Sequence, residues 1–221
     1  MPDVLITAGA TRNPIDVMRS ISANSSGATG LWLAGALAGL GEITVLGSTE
    51  ALLRAALERG GAAPPAGRVE QGFGSTRDLM DKMQAWVLAH PEGVVIHAAA
   101  VGDYEAAPRT EGPQKIPSGQ AELHLRLLAT PKIVDHVRQW APSVRLVSFK
   151  AASPETTPED LLAIAEAQRA RTGSAAVFGN VLTRLGELAV IALPNGARRF
   201  TDRQAALQAL VDLVQRDFAE G

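Results

Sequence analysis

Residues 30–47 read GLWLAGALAGLGEITVLG, an apolar helical pattern that runs through glycine directly into a strand. The helical half covers 30–41. Its glycines at 35 and 39 predict close packing on a sheet, each at a small cost in helix propensity. The other half, EITVLG (42–47), is nearly all apolar, as a strand buried on both faces should be. Upstream, DVLIT (3–7) has the same texture. Strand, loop, helix and strand in that order form the first half of a doubly wound sheet.

The rest of the chain extends the pattern. VEQGF (69–73) reads as a third strand, and Ser75 with Asp78 makes a capping box for a helix over 76–89. GVVIHAAAVGDY (93–104) is a buried strand followed by small residues and an acid at its carboxyl end, where open α/β sheets bind ligands. The texture then changes. EAAPRTEGPQKIPSG (105–119) reads as a long loop, and AELHLRLL (121–128) alternates as a half-exposed strand should. Thr130 and Pro131 signal a helix through Trp140. SVRLVSFK (143–150) is a strand, Thr157 and Asp160 bracket the start of a helix over 158–172, and SAAVFGN (174–180) is another strand. ELAVIAL and ARRF flank the turn PNG as a hairpin. Thr201 with Gln204 predicts the cap of a last helix, in which positions 207, 210, 211 and 214 share an apolar face. The expected architecture is one α/β domain over 1–221, a Rossmann-like three-layer sandwich. A loop and strand at 105–128 protrude from it as a dimerisation or substrate arm, and a hairpin lies near the C-terminus.

Composition narrows the function classes. Of 221 residues, 46% are hydrophobic and 20% charged, with a net charge of -2, so no basic footprint for nucleic acid or membrane is present. There is no cysteine, which excludes disulfides and thiolate chemistry and fits a reducing compartment. The four histidines form no metal-ligand spacing, and no apolar run approaches 18 residues. MPDVLITAG enters a strand with no leader pattern, so the expectation is a soluble cytoplasmic protein without a structural metal.

Two polar loops follow the first strand. TAGATRNPID (7–16) contains Gly9, Ala10 and Thr11, and ISANSSGATG (21–30) contains Ser22, Asn24, Ser25, Ser26, Gly27 and Gly30. Small residues after a strand expose backbone N–H groups that can cradle phosphate. A nicotinamide-dinucleotide fingerprint is disrupted, because Pro14 stands where the tight turn should feed a helix. A standard P-loop is absent. Either these are surface loops, or they wrap an anionic ligand of more than one group. Asp103, Lys150 and Asn180 each fall at or just beyond a strand's carboxyl end, which favours a shared cleft. Lys115, set among prolines, reads on composition alone as a solvated side chain.

The ordered set LITAGATRNPID (5–16), RSIS (19–22), SSG (25–27), HAAAVGDY (97–104), QKI (114–116), TPKIVDHVRQW (130–140), SFK (148–150) and FGN (178–180) resembles the phosphopantothenate–cysteine ligase family, in its stand-alone form, from about residue 3 to 218. That resemblance implies a modified dinucleotide-binding fold and a homodimer with shared sites. It also implies a nucleotide cosubstrate, CTP ahead of ATP, with Mg2+ on the triphosphate. The carboxylate of 4'-phosphopantothenate is activated as an acyl nucleotidylate, and L-cysteine displaces the nucleotide. By resemblance Gly9, Ala10 and Thr11 line the nucleotide phosphates. Ala99, Ala100, Val101 and Asp103 hold the nucleoside, Phe149 lies against the base, and Lys150 and Asn180 border the pocket. Arg19, Ser25, Ser26 and Gly27 serve the acyl substrate, and Lys115 meets the charge that develops on the attacked phosphoryl group.

One departure stands out. The family pattern ISNxSSG is here ISANSSG, so Ala23 occupies the place of an asparagine and can neither donate nor accept. Asn24 is adjacent. An engineered inactive form, a relative with another substrate, and a rearrangement that brings Asn24 in all remain open. The lysine-rich run after Lys115 is also thinned to Ile116, Pro117 and Ser118, and Val181 replaces an aspartate of the bacterial pattern. A nicotinamide-dependent reductase and a non-catalytic nucleotide-binding relative are the competing classes.

Overall fold

The computed structural model describes residues 1–108, 115–119, 121–182, 184 and 186–217. The apolar runs become the inner strands of an eight-stranded sheet: β1 (Val4–Ala8), β4 (Ile43–Ser48), β6 (Val94–His97), β9 (Arg145–Ala152) and β10 (Ala176–Val181). With β5 (Arg68–Phe73) at one edge and β11 (Ala189–Leu193) and β12 (Gly196–Phe200) at the other, the order is β12-β11-β10-β9-β6-β1-β4-β5. From β5 to β10 all pairing is parallel, and the last two strands are the expected antiparallel hairpin. The inner strands β1, β4, β6 and β10 are buried at every residue, while the edges alternate or open to solvent. This is the continuous-versus-alternating texture that parallel and edge strands require.

Helices cover both faces. On one, Val4, Ile6, Ile96, Val147 and Phe178 pack against α1 (Ala28–Ala36) and α6 (Arg203–Asp217). On the other, Leu5, Val95 and Leu146 meet Met83, Trp86 and Val87 of α3 (Thr76–Ala89) and Ile133 and Val137 of α4 (Ile133–Trp140). The helix α5 (Pro158–Thr172) seals β10 and β11 through Leu161 and Ala165. The remaining helix, α2 (Thr49–Glu58), links β4 to β5, and its Ala51 and Ala55 join the first core. Two small ribbons lie outside the sheet: β2 (Arg12–Pro14) with β3 (Ser20–Ser22), and β7 (Tyr104–Ala106) with β8 (Leu127–Ala129).

Several local expectations change. The close approach in α1 is made by Gly30, not by Gly35 or Gly39. A Cβ on Gly30 would lie 2.7 Å from Ala8 Cβ and 2.9 Å from the Thr7 carbonyl oxygen, whereas nothing lies within 4 Å at Gly35 or Gly39. Thr130 does not cap α4. Its Oγ1 donates to the Gly102 carbonyl at 2.7 Å, and Lys132 holds the N-cap position without a side-chain capping bond. Asp202, not Thr201, caps α6, accepting from Gln204 N and Ala205 N. Of the strand expected at 121–128, the structure shows β8 at its end, paired with β7 and extended by the bond from Ala107 N to Arg126 O. Part of the long loop, 109–114, lies outside the described residues.

Candidate functional site

The two polar loops have different fates. Gly9 and Thr11, which the resemblance places beside phosphate, bond to the segment after β6. Gly9 O accepts from Ala100 N at 2.8 Å, and Thr11 N donates to Ala100 O at 3.1 Å. Buried Thr11 Oγ1 takes the Gly102 N–H at 2.8 Å. Next to it, Asn13 donates to Tyr104 O at 2.8 Å and accepts from Thr76 N at 2.9 Å. These bonds tie the first loop to segment 99–104 and to Thr76.

The second loop opens on a cleft of about 640 Å3 across the carboxyl edge of the sheet. Gly27 sits at φ 77°, and a Cβ there would lie 2.5 Å from Ala51 Cβ, so this turn packs tightly beneath the cleft and is restricted to glycine. It feeds α1, whose N-terminus carries no side-chain cap and no acidic residue in its first turn. The free N–H groups there and the helix dipole favour an anion. Asn24, Ser25, Ser26 and Gly27 line the cleft together with Ala99, Ala100, Val101, Asp103, Phe149, Lys150 and Asn180.

Charge within the cleft is unbalanced. Asp103 is the one carboxylate among its lining residues, against Lys132, Lys150, Arg171 and Arg203. Lys132 pairs with Asp103 at 2.7 Å, and Arg171 pairs with Asp135 of α4. Lys150 and Arg203 have no carboxylate partner among the described residues. The amide of Asn180, 6% exposed, makes no bond to another described residue. On the apolar side, Phe149 stacks on Phe178 with ring centroids 4.9 Å apart. No group of three or more potential metal ligands occurs among the described residues.

His97 was not singled out from sequence, yet it belongs to the cleft lining. Its Nδ1 lies 3.0 Å from Thr7 Oγ1, which already accepts from Ala99 N. Burial pushes the imidazole pKa down to about 4, so the ring is neutral at pH 7.

Besides Gly9, Ala10 and Thr11, three expected residues stand apart. Ala23, Arg19 and Lys115 do not line the cleft. Arg19 is occupied with buried Asp16, bonded through Nε at 3.0 Å and Nη2 at 2.5 Å, and with Ile116 O at 2.9 Å. Ile116 N also donates to Asp16 at 3.0 Å. The Arg19 side chain, then the Ile116 and Met18 N–H groups, hold the Asp16 carboxyl far below the usual carboxylate range. This clamp ties the Lys115 segment to the β2–β3 ribbon, and Lys115 itself is exposed.

Fold and cleft define a Rossmann-like protein with an open, cation-rich cleft at the carboxyl edge of its sheet. Residues 2–191 match the DNA/pantothenate metabolism flavoprotein C-terminal domain, and the chain belongs to that family. It is 33% identical over 183 residues to the coenzyme A biosynthesis bifunctional protein CoaBC of Thermococcus kodakarensis, covering 83% of this chain and 42% of that one. It is 34% identical over 127 residues to phosphopantothenate–cysteine ligase 2 of Oryza sativa, covering 56% of this chain and 38% of that one. The chain thus spans about two fifths of each of these relatives. Its fold is shared with the DNA/pantothenate metabolism flavoprotein of Streptococcus pneumoniae (TM-score 0.82, 24% identity, 97% and 99% of the two chains covered). A Cab2 variant in complex with phosphopantothenate-cysteine has the same fold (TM-score 0.75, 18% identity, 96% and 86% covered).

Proposed function

We propose that the chain is a nucleotide-dependent amide ligase that joins 4'-phosphopantothenate to L-cysteine in coenzyme A synthesis. The observation that carries this reading is the uncapped start of α1 facing a cleft with two cations, Lys150 and Arg203, that no described carboxylate neutralises. Such a site suits a triphosphate, and the second loop rather than the first receives it. Phe149 offers a stacking surface for the base, and Asp103 with the 99–101 backbone holds the nucleoside. The carboxylate of phosphopantothenate attacks the α-phosphorus, pyrophosphate leaves, and the cysteine amine then displaces the nucleoside monophosphate from the acyl carbon. Mg2+ accompanies the triphosphate and shares its charge. With a lone lining carboxylate, Asp103, the described residues build no cage for the ion, which fits a metal carried in on the phosphates.

Leu123, Leu125 and Leu127 are exposed at alternate positions of the arm, together with Tyr104. This pattern supports a homodimer, in which the partner's arm brings Lys115 toward a shared site. One domain over 1–221, CTP ahead of ATP, and a cytoplasmic location complete the proposal. Among the described residues no helix is long and apolar enough to cross a membrane. A second reading, a substrate-divergent or non-catalytic relative, is favoured by Ala23 alone. Pyrophosphate release with CTP or ATP, dependent on phosphopantothenate, supports the ligase. No release with either nucleotide sinks it.

A further inference from the structure

Arg203 lies twelve residues beyond 191, where the family match ends, and it was not among the residues expected from sequence. It opens α6 and reaches across the sheet edge to α1, where Nη2 donates to Thr29 Oγ1 at 2.9 Å. Its guanidinium lies 5.7 Å from the centroid of the Phe178 ring, the ring on which Phe149 stacks. Nε is sealed from water and meets no acceptor. The neighbouring acid, Asp202, is spent on the N–H groups of Gln204 and Ala205.

A cation in this position is held at a cost. A guanidinium stays charged, burial strips part of its hydration, and an unmet buried donor adds a further penalty. An aromatic face and one hydroxyl offset only part of this. Yet the side chain lines the cleft beside the free N–H groups of α1, where an arriving anion would supply the missing charge. The planar fork of arginine suits phosphate oxygens, which lysine meets only as a point charge.

We propose that Arg203 is a phosphate-binding residue of this cleft, gripping the polyphosphate of the nucleotide and making the start of α6 part of the active site. The proposal rests on the nucleotide-binding reading above. It assigns to the C-terminal helix a task beyond covering the sheet. The Thr29 hydroxyl acts as the seat that aims the guanidinium at the first turn of α1.

The test is calorimetry on the full chain with three probes: a Mg2+–nucleoside triphosphate, its parent nucleoside, and inorganic tripolyphosphate. Arg203→Gln keeps a donor for Thr29 and removes the charge. It should weaken triphosphate and tripolyphosphate binding by roughly tenfold or more, the scale of a lost charge-assisted contact, and change nucleoside binding by less than about twofold. Equal loss for triphosphate and nucleoside would mean that Arg203 only props up the fold, and no loss for either would overturn the proposal outright. If Arg203→Gln does not fold, Arg203→Lys carries the same comparison, with a triphosphate-selective loss of about threefold or more expected from the missing fork. Wild-type protein that binds none of the three probes would instead overturn the nucleotide-binding reading itself.

Discussion

Gly30→Ala and Gly35→Ala are the same chemical change five residues apart in α1, and the structure assigns them opposite signs. In a helix interior, Gly to Ala gains about 0.5–1 kcal/mol from propensity and from the restricted unfolded chain. At Gly35, exposed and with nothing within 4 Å of the added methyl group, that gain should appear undiminished. At Gly30 the new Cβ would lie 2.7 Å from Ala8 Cβ, 2.9 Å from the Thr7 carbonyl oxygen and 3.2 Å from Ala8 Cα. Two of these three contacts are backbone of a fully buried strand, so the helix rather than the strand must move. Overpacking of this kind costs about 1–3 kcal/mol, which exceeds the propensity gain. The movement also lifts the first turn of α1, so triphosphate affinity should fall together with stability. Urea denaturation gives the first quantity and calorimetry the second. Gly30→Ala as stable as wild type, with unchanged nucleotide affinity, would refute the close approach of α1 to β1.

Other perturbations test separate parts of the site. His97 has a folded pKa of about 4 against an ordinary 6.5, so below pH 6.5 the unfolded chain binds the extra proton. Its contribution is complete above pH 6.5 and is lost as pH falls toward 4, a drop of about 3 kcal/mol that denaturation curves should show and His97→Gln should flatten. Lys115→Ala should leave nucleotide affinity within a few-fold and slow acyl-nucleotidylate formation by roughly 100-fold, about 2.7 kcal/mol. Single-turnover rates that ignore the change would remove Lys115 from the chemistry. Ala23→Asn restores a donor and acceptor and should raise turnover with phosphopantothenate by roughly 10- to 150-fold. No gain would point to a different acyl substrate. Charged substitutions at Leu123 and Leu125 should convert a dimer to monomer in sedimentation, whereas an active wild-type monomer would exclude the shared site.

What sequence could reveal followed the range of the interaction involved. Buried strands announced themselves because burial on both faces leaves no room for polar residues, as in VLITA and VVIH. Ser75 and Thr157 were legible as caps because their partners, Asp78 N and Asp160 N, lie three residues away. Thr130 looked the same locally, but the Gly102 carbonyl, 28 residues upstream, takes its hydroxyl. Likewise nothing near the first polar loop announced the bonds that Gly9 O, Thr11 N and Thr11 Oγ1 make to Ala100 and Gly102, some 90 residues on. Asp103, Lys150 and Asn180 share the cleft because strand ends converge on one edge in any open α/β sheet, whereas Phe149 was named only through the family resemblance. Arg203 and His97 escaped notice because their roles depend on Thr29 and Thr7, 174 and 90 residues away.

The ligase chemistry is tested most directly by following oxygen. With 18O in the carboxylate of phosphopantothenate, attack on the α-phosphorus followed by amine displacement must leave one labelled oxygen on the departing nucleoside monophosphate. Mass spectrometry of the products from the wild-type chain, Mg2+, triphosphate and L-cysteine should find that label there, with unlabelled pyrophosphate. Label in inorganic phosphate, accompanied by nucleoside diphosphate, would mean activation through an acyl phosphate, and would contradict attack at the α-phosphorus.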